Sequence, residues 1–433
     1  MESMTVEQVK NRLEYTDKGI REIITNYVTA LRYDENLQGV FRQNIFTDRI
    51  DVIKTKFVNW NRQSTSIEDI DLVKTLLYLA GNYGLKNKQT LTDAIRIVAN
   101  DFSYHPVRDY LNGLEWDHTE RIRYALHRFL GAEQNEYSYE VMKLLMMGAI
   151  ERVFNPGSKF DYIVCLVGGQ GIGKSSFVQF LAINPEWFAD DLSNLADENI
   201  VRKLQGHLFV EFGEMIPTGN AKNVEIVKAF ISRQKDNYKV PYDRFSKDIP
   251  RQCVFVGTTN NLEFLPFDRT GNRRFLPVLC YAAGAECTLF DDVNATRDYI
   301  DQMWAEAMEL KKTGCYELKP SRVMLDYLDE HQCMFMPEDT MAGEIQGWLD
   351  EYLGDEVCTK QVAVECLGIP NPTKFQYKDI ADAMRNVVSG WTLTREQKRF
   401  PQYGTQKIWR RNKPKADENG FVEMPDDMEL PFK

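Results

Sequence analysis

No stretch of the chain approaches the roughly 20 consecutive apolar residues that a bilayer span needs. The first residues, Met1-Glu2-Ser3-Met4-Thr5-Val6-Glu7, are acidic and carry no signal-peptide core. These absences predict a cytoplasmic protein with no membrane partner. Cysteine pairs at metal or redox spacing are missing: none of the eight cysteines stands in a C-x-x-C pair, which argues against a zinc module or a disulfide framework. Histidine is scarce, with five scattered copies in 433 residues and no ligand spacing, so His105 and His127 read as packing or capping residues. Low-complexity runs and internal repeats are absent. Positive charge is in deficit, 53 Lys and Arg against 64 Asp and Glu, for a net charge of −11. An acidic total does not favour nucleic acid, so any such binding must come from local basic patches.

What is present begins with Gly168-Gly169-Gln170-Gly171-Ile172-Gly173-Lys174-Ser175, a complete G-x-x-x-x-G-K-[ST] loop. The apolar run Tyr162–Val167 before it reads as a buried strand. Phe177, Val178 and Leu181 after it mark one face of a helix. Strand, glycine loop and helix start are the context in which this pattern cradles phosphates, the glycines turning backbone N–H groups inward and the helix start adding its positive end. The nucleotide contacts are expected from residues 168–176, Ser176 included. Lys174 neutralises the outer phosphates and Ser175 holds Mg²⁺ through its hydroxyl. ATP and Mg²⁺ are the cofactors this predicts.

Hydrolysis needs an acid near the metal, a polar group that positions water, and a cation for the charge on the terminal phosphate. The strand-like Leu208-Phe209-Val210-Glu211-Phe212-Gly213-Glu214 ends in two carboxylates. Glu211 is assigned to the metal and water shell and Glu214 is the second candidate for water activation, the choice between them open. The apolar run from Cys253 ends in Thr258-Thr259-Asn260-Asn261, and Asn260 is taken as the amide facing the terminal phosphate, with Asn261 the alternate. Arg273 and Arg274 follow on a glycine loop and suit an arginine finger, with a surface salt-bridge pair as the plainer reading.

Two basic patches stand out against the acidic total. Between the acid and Asn strands lie Lys228, Arg233, Lys235, Lys239, Arg244, Lys247 and Arg251, interleaved with Tyr238, Tyr242 and Phe245. Lysines and arginines there would track phosphates while aromatics stack on bases. Lys235, Lys239, Tyr242, Arg244 and Lys247 are the chosen DNA contacts, and Arg251 is alternatively directed at the nucleotide. The second patch runs from Lys374 to Lys415, with eleven Lys or Arg against three acids. Lys407, Arg410 and Arg411 are its chosen contacts, and docking on an acidic face of the same protein is the alternative.

Along the chain, residues 1–135 read as a mainly helical domain. A β-like interruption covers 45–47 and 50–53, and Pro106 limits helix continuation at a junction. Residues 136–337 read as strands alternating with helices around a parallel sheet, an α/β P-loop NTPase core. Thr296 to Lys312 is a helix with Ile300, Met303, Trp304, Ala307 and Met308 inward, and 338–341 is a linker. Residues 338–415 read as three helices with a short β element, a winged-helix-like basic domain suited to duplex DNA. Residues 416–433 are an acidic tail of disordered composition.

The order of phosphate loop, acidic strand, basic segment, Asn-ended strand and paired arginines resembles the superfamily 3 helicase core. It is closer still to the virulence-associated protein E family of phages and mobile islands. The residues carrying the resemblance are His105-Pro106-Val107-Arg108-Asp109-Tyr110-Leu111 with Trp116-Asp117, the phosphate loop, Val210–Glu214, Gly257–Asn260 and Thr270–Phe275. A weaker echo continues in Tyr403–Gln406 and Trp409–Arg411. The resemblance spans about residues 40–280. It implies an AAA+-like ATPase that serves replication of mobile DNA, forms a homo-oligomeric ring of hexameric type and translocates on single-stranded DNA. It further implies a pore-facing hairpin in the first basic patch, an N-terminal assembly collar and a separate primase partner, this chain resembling the helicase part alone. One departure is the two residues between Glu211 and Glu214, where superfamily 3 members often set two acids side by side. The alternative reading is an ATPase-switched origin-binding or loading protein without processive unwinding.

Overall fold

The computed structural model describes residues 2–190, 192, 195, 200–213, 221–238, 246–265, 272–337 and 339–412. The chain divides into two compact units, one of residues 1–218, 222–264 and 273–331 and one of 219–221, 265–272 and 332–433.

After a short helix (Val6–Lys10) and a two-stranded hairpin (Tyr15–Thr16, Gly19–Ile20), the first unit continues with α1 (Ile24–Tyr33), the antiparallel hairpin β1 (Phe41–Asn44) and β2 (Arg49–Val52), α2 (Asp69–Tyr83) and α3 (Lys88–Asp101). Leu91, Ile95 and Val98 on one face of α3 meet Leu31, Phe41 and Leu79 in a core of their own. The expected β-like piece is displaced. Residues 45–48 form the turn because the Asn44 side chain accepts from the N–H groups of Phe46 and Thr47, at 3.0 and 3.2 Å. At the expected junction the helix before ends at Asp101, His105 is extended, and Pro106 opens the next helix. It sits in the first turn of α4 (Pro106–Asn112), where a missing N–H leaves no bond unmade, and His105 Nδ1 caps the turn by accepting from Arg108 N at 3.2 Å.

From α4 apolar side chains enter a second core. Val107, Leu111, Leu126 and Phe129 pack with Val164, Phe177 and Trp304. The change of core therefore falls near residues 102–107, ahead of the boundary expected at 135, because residues 107–130 bury their apolar face on the sheet that follows. The long helix α5 (Glu136–Phe154) is buried along most of its length.

The sheet of this unit has five strands, β3 (Ile163–Val167), β4 (Phe188–Ala189), β5 (Phe209–Phe212), β8 (Val254–Thr259) and β9 (Phe275–Leu279). All pairs are parallel, in the order β9-β3-β8-β5-β4. Every residue of β3 is buried, as expected for a strand with helices on both faces. Helix α6 (Lys174–Leu181) follows β3, and α7 (Ala221–Ile231) leads to the antiparallel hairpin β6 (Lys235–Tyr238) and β7 (Lys247–Pro250). After β9 come α8 (Val293–Thr313) and α9 (Arg322–His331). Ile300, Met303, Trp304, Ala307 and Met308 of α8 are all buried, as the spacing predicts, and Trp304 Nε1 donates to Leu181 O at 3.1 Å.

The second unit holds α10 (Thr340–Glu351), β10 (Glu356–Val357), α11 (Lys374–Asn386), β11 (Trp391–Phe400) and β12 (Gly404–Arg411). Its three strands are antiparallel in the order β10-β12-β11. Ile345, Leu349, Val357, Ile380, Met384, Trp391 and Trp409 form its core. Of the linker expected at 338–341, residue 338 lies outside the described residues, and Asp339 accepts from Ala342 N at 3.0 Å and starts α10 at Thr340. Among the described residues, no helix is long and apolar enough to cross a membrane.

Candidate nucleotide site

The phosphate loop joins the carboxyl end of β3 to the amino end of α6. Two glycines are demanded by geometry. A Cβ on Gly168 would stand 2.3 Å from the Cys280 carbonyl oxygen, so only glycine lets the loop leave β3 this close to the next strand end. Gly173 takes φ +94° immediately before α6, a conformation that a side chain disfavours. Gln170, Gly171, Gly173, Lys174, Ser175 and Ser176 line a cavity of about 280 Å³, closed on the other side by Thr258, Thr259 and Asn260 of β8 and its end. Ile172 turns instead to the core.

Lys174 is only 7% exposed. Its Nζ donates to the carbonyl oxygens of Gly168 and Gly169 at 2.6 and 2.7 Å and to Asn260 Oδ1 at 3.0 Å. The ammonium is thus held over the loop, facing the same cavity as the Asn260 amide. The pairing follows from topology. β3 and β8 are adjacent and parallel with Val167 opposite Thr259, so the residues after both strands emerge at one edge. That edge is where open α/β sheets gather their ligands.

Glu211 lies on β5, on the far side of β8, and is 2% exposed. Its Oε1 accepts from Ser175 Oγ at 2.6 Å and also from Thr258 Oγ1. Its Oε2 is buried with no hydrogen-bond partner among the described residues. A carboxylate oxygen taken out of water without a donor is costly. An orphaned oxygen beside the loop hydroxyl is the arrangement that a divalent cation, or water held by one, would complete. The residues present therefore fit a magnesium site.

Of the residues selected from sequence, the fold brings together Gly168–Ser176, Glu211 and Asn260. Glu214 lies outside the described residues. Arg273 and Arg274 do not join this group. They precede β9, which runs parallel to β3 with Phe275 opposite Ile163, so they stand at the end of the sheet away from the loop. Arg274 Nε is paired with Asp161 at 3.1 Å, whereas Arg273 is exposed and makes no ion pair among the described residues. Thr258 was not singled out from sequence. Its signal was a hydroxyl inside an otherwise apolar strand, but the carboxylate it serves lies 47 residues away.

The basic patches are described in part. Lys239, Tyr242 and Arg244 lie outside the described residues. Lys235 pairs with Asp248 at 2.5 Å across the hairpin, and Lys247 pairs with Asp48. Arg251 does not face the nucleotide. It is 3% exposed and binds Asp236 through two bonds, of 2.5 and 2.9 Å, while donating to Phe230 O at 2.5 Å. Its guanidinium lies 4.4 Å from the Phe230 ring centroid. Fork-to-fork pairing and ring stacking suit Arg as an anchor of the hairpin base. In the second unit Lys407 is exposed, and Arg410 is paired with Glu356 and Glu396 at 3.0 and 2.8 Å. Arg411 is used internally, donating to the carbonyls of Leu349 and Tyr352 and stacking 4.9 Å from the Trp391 ring centroid. That leaves Lys407 and Arg410 as its outward cations among the three chosen.

The profile of the virulence-associated protein E-like domain matches residues 111–336, the stretch that holds the whole sheet and its loop. No curated protein matches the chain. Among solved structures, the A form apo structure of the NrS-1 C-terminal region is 13% identical with a TM-score of 0.45, over 86% of this chain and 96% of that one. Another apo structure of that region is 13% identical with a TM-score of 0.42, over 85% of this chain and 95% of that one.

Proposed function

The chain belongs to the virulence-associated protein E-like family, and from that premise we propose that it is a magnesium-dependent ATPase of the superfamily 3 helicase type. The observation that supports this best is the convergence of Lys174, Ser175, Thr258 and Asn260 on one cavity, with Glu211 buried behind Ser175 and Thr258 and hydrogen-bonded to both. Nothing in a merely structural glycine turn calls for a buried carboxylate with a free oxygen beside the loop hydroxyl.

In this reading the loop N–H groups and Lys174 hold the phosphates. Ser175 and Glu211 hold Mg²⁺, which when bound supplies charge neutralisation at the phosphate oxygens. Asn260 orients the terminal phosphate and the attacking water, and Glu211 with Glu214 share the acid–base role. Arg273 and Arg274, remote from their own site, serve the site of a neighbouring copy, so that hydrolysis requires a ring, hexameric by resemblance. Single-stranded DNA passes the hairpin of β6 and β7, met by Lys235, Lys239, Tyr242, Arg244 and Lys247. The second unit acts as a winged-helix-like module that holds duplex DNA through Lys407 and Arg410. The protein then serves replication of a phage or mobile element beside a separate primase.

Strand displacement on a forked duplex tests the reading. Wild-type protein with Mg·ATP is expected to release the strand, and Glu211→Gln is not. Hydrolysis without displacement would overturn the motor in favour of an ATPase-switched loader.

A further inference from the structure

Phe290 stands on the surface with 63% of its area exposed. Its neighbour Leu289 is buried, and Leu289 Cδ1 comes within 3.7 Å of where a Cβ on Gly173 would stand. The turn is fixed internally. Thr288 donates to Asp291 through its N–H at 2.8 Å and its hydroxyl at 2.7 Å, and Asp292 caps α8. Phe290 is therefore an aromatic ring held out on a rigid turn that is pinned to the start of α6.

Among the described residues its aromatic neighbour is Phe180, edge-on with centroids 5.9 Å apart and planes at 67°. Phe180 is four residues after Ser176, which lines the phosphate cavity. Positions four apart share a helix face, about 6 Å along the axis. Phe180 thus lies one turn beyond Ser176 on the same face of α6, with Phe290 against it.

The direction of a bound nucleotide follows from Asn260 and Lys174. Their shared hydrogen bond marks the terminal-phosphate end. In the ATPase reading the phosphate chain would run past Ser175 and Ser176, with the sugar and base continuing along α6. Among the described residues a second cavity at the loop, of about 390 Å³, is lined by Leu262, Leu279 and Tyr281.

We infer that Phe290, backed by Phe180, is the platform on which the nucleobase of the bound nucleotide stacks. The inference rests on the ATPase reading above and assigns it a residue that neither the loop pattern nor the family match identifies. A flat aromatic face meets any base through its π surface, and such stacking is worth about tenfold or more in affinity.

Binding of Mg·ATP and of Mg·tripolyphosphate separates the base from the phosphates. Phe290→Ala is expected to weaken ATP about tenfold and leave tripolyphosphate unchanged. Phe290→Trp restores ATP, and Lys174→Ala weakens both ligands. ATP binding unchanged in Phe290→Ala overturns the platform and leaves the ATPase reading standing. Equal loss of both ligands in that variant overturns it too, by showing a general effect on the loop. Failure of the wild type to bind either ligand removes the nucleotide site itself, and the platform with it.

Discussion

Ser175 donates its hydroxyl to Glu211 Oε1 over 2.6 Å across 36 residues of sequence, and the second oxygen of that buried carboxylate has no partner among the described residues. The pair ties the first turn of the loop helix to the neighbouring strand. Glu211→Gln keeps the shape and an acceptor for Ser175 but removes the charge. Turnover should fall by about 10²–10³-fold while ATP affinity changes little. Steady-state hydrolysis and equilibrium binding check this, and unchanged turnover would remove Glu211 from the chemistry.

Thr258 supplies the other donor to Glu211. Thr258→Val is close to the same size and leaves the carboxylate short of a hydrogen bond. It should cost about 1–3 kcal/mol, read as a lower urea midpoint with an unchanged slope. Thr258→Ser should recover most of the loss.

The buried Arg251–Asp236 pair anchors the hairpin base. Asp236→Asn leaves a buried guanidinium without its counter-charge and should destabilise the protein by about 3–5 kcal/mol. Replacing both partners by apolar residues of similar volume should cost less than the two single changes added together. Denaturant unfolding of the four proteins measures the coupling.

Burial pushes the imidazole of His105 below its ordinary 6.5, and His207 is pushed down for the same reason. In the fold, Nδ1 of His105 accepts from Arg108 N and Nε2 contacts Gln252 Oε1 at 2.7 Å, so the neutral ring donates to Gln252 through Nε2. Above pH 6.5 both folded and unfolded chains hold this ring neutral, and its contribution is complete. As the pH falls through that value the unfolded chain takes up the proton first, so stability declines until the folded ring is protonated too. The Tm should therefore drop between about pH 7.5 and 5.5. His105→Asn keeps a helix cap and should shrink that drop, His207 providing the remainder.

If Arg273 serves a neighbouring site, two inactive variants should complement each other. Lys174→Ala lacks a working loop and Arg273→Ala lacks the finger. Mixed assemblies contain junctions that pair an intact loop with an intact finger, roughly a quarter of the total at equal proportions. Hydrolysis regained on mixing is the expected result, and a mixture as inactive as its components would contradict action between copies.

What was legible in the sequence was what is local or ends a strand. The phosphate loop is contiguous. Glu211 and Asn260 close apolar runs whose carboxyl ends a parallel sheet aligns, and the inward face of α8 follows from helical spacing. The misreadings share a cause, in partners set by the fold. Arg251 and Arg411 look alike as basic residues among aromatics. The first finds Asp236 across a hairpin and the second finds carbonyls 59 and 62 residues away, so neither is free for an external ligand. Pro106 marked a junction, with the preceding helix ending at Asp101, but that a new helix starts at it was not legible. The His105 cap that makes it a start is a side-chain geometry that spacing does not display. Thr258 gains its role only once β8 lies beside β5.

The most direct measurement is ATP hydrolysis with and without single-stranded DNA, on wild type and Lys174→Ala, with the mass of the assembled species followed alongside. The account predicts DNA-stimulated turnover in a ring-sized species, lost in Lys174→Ala. Turnover indifferent to DNA, or a monomer that binds nucleotide without hydrolysing it, would contradict it.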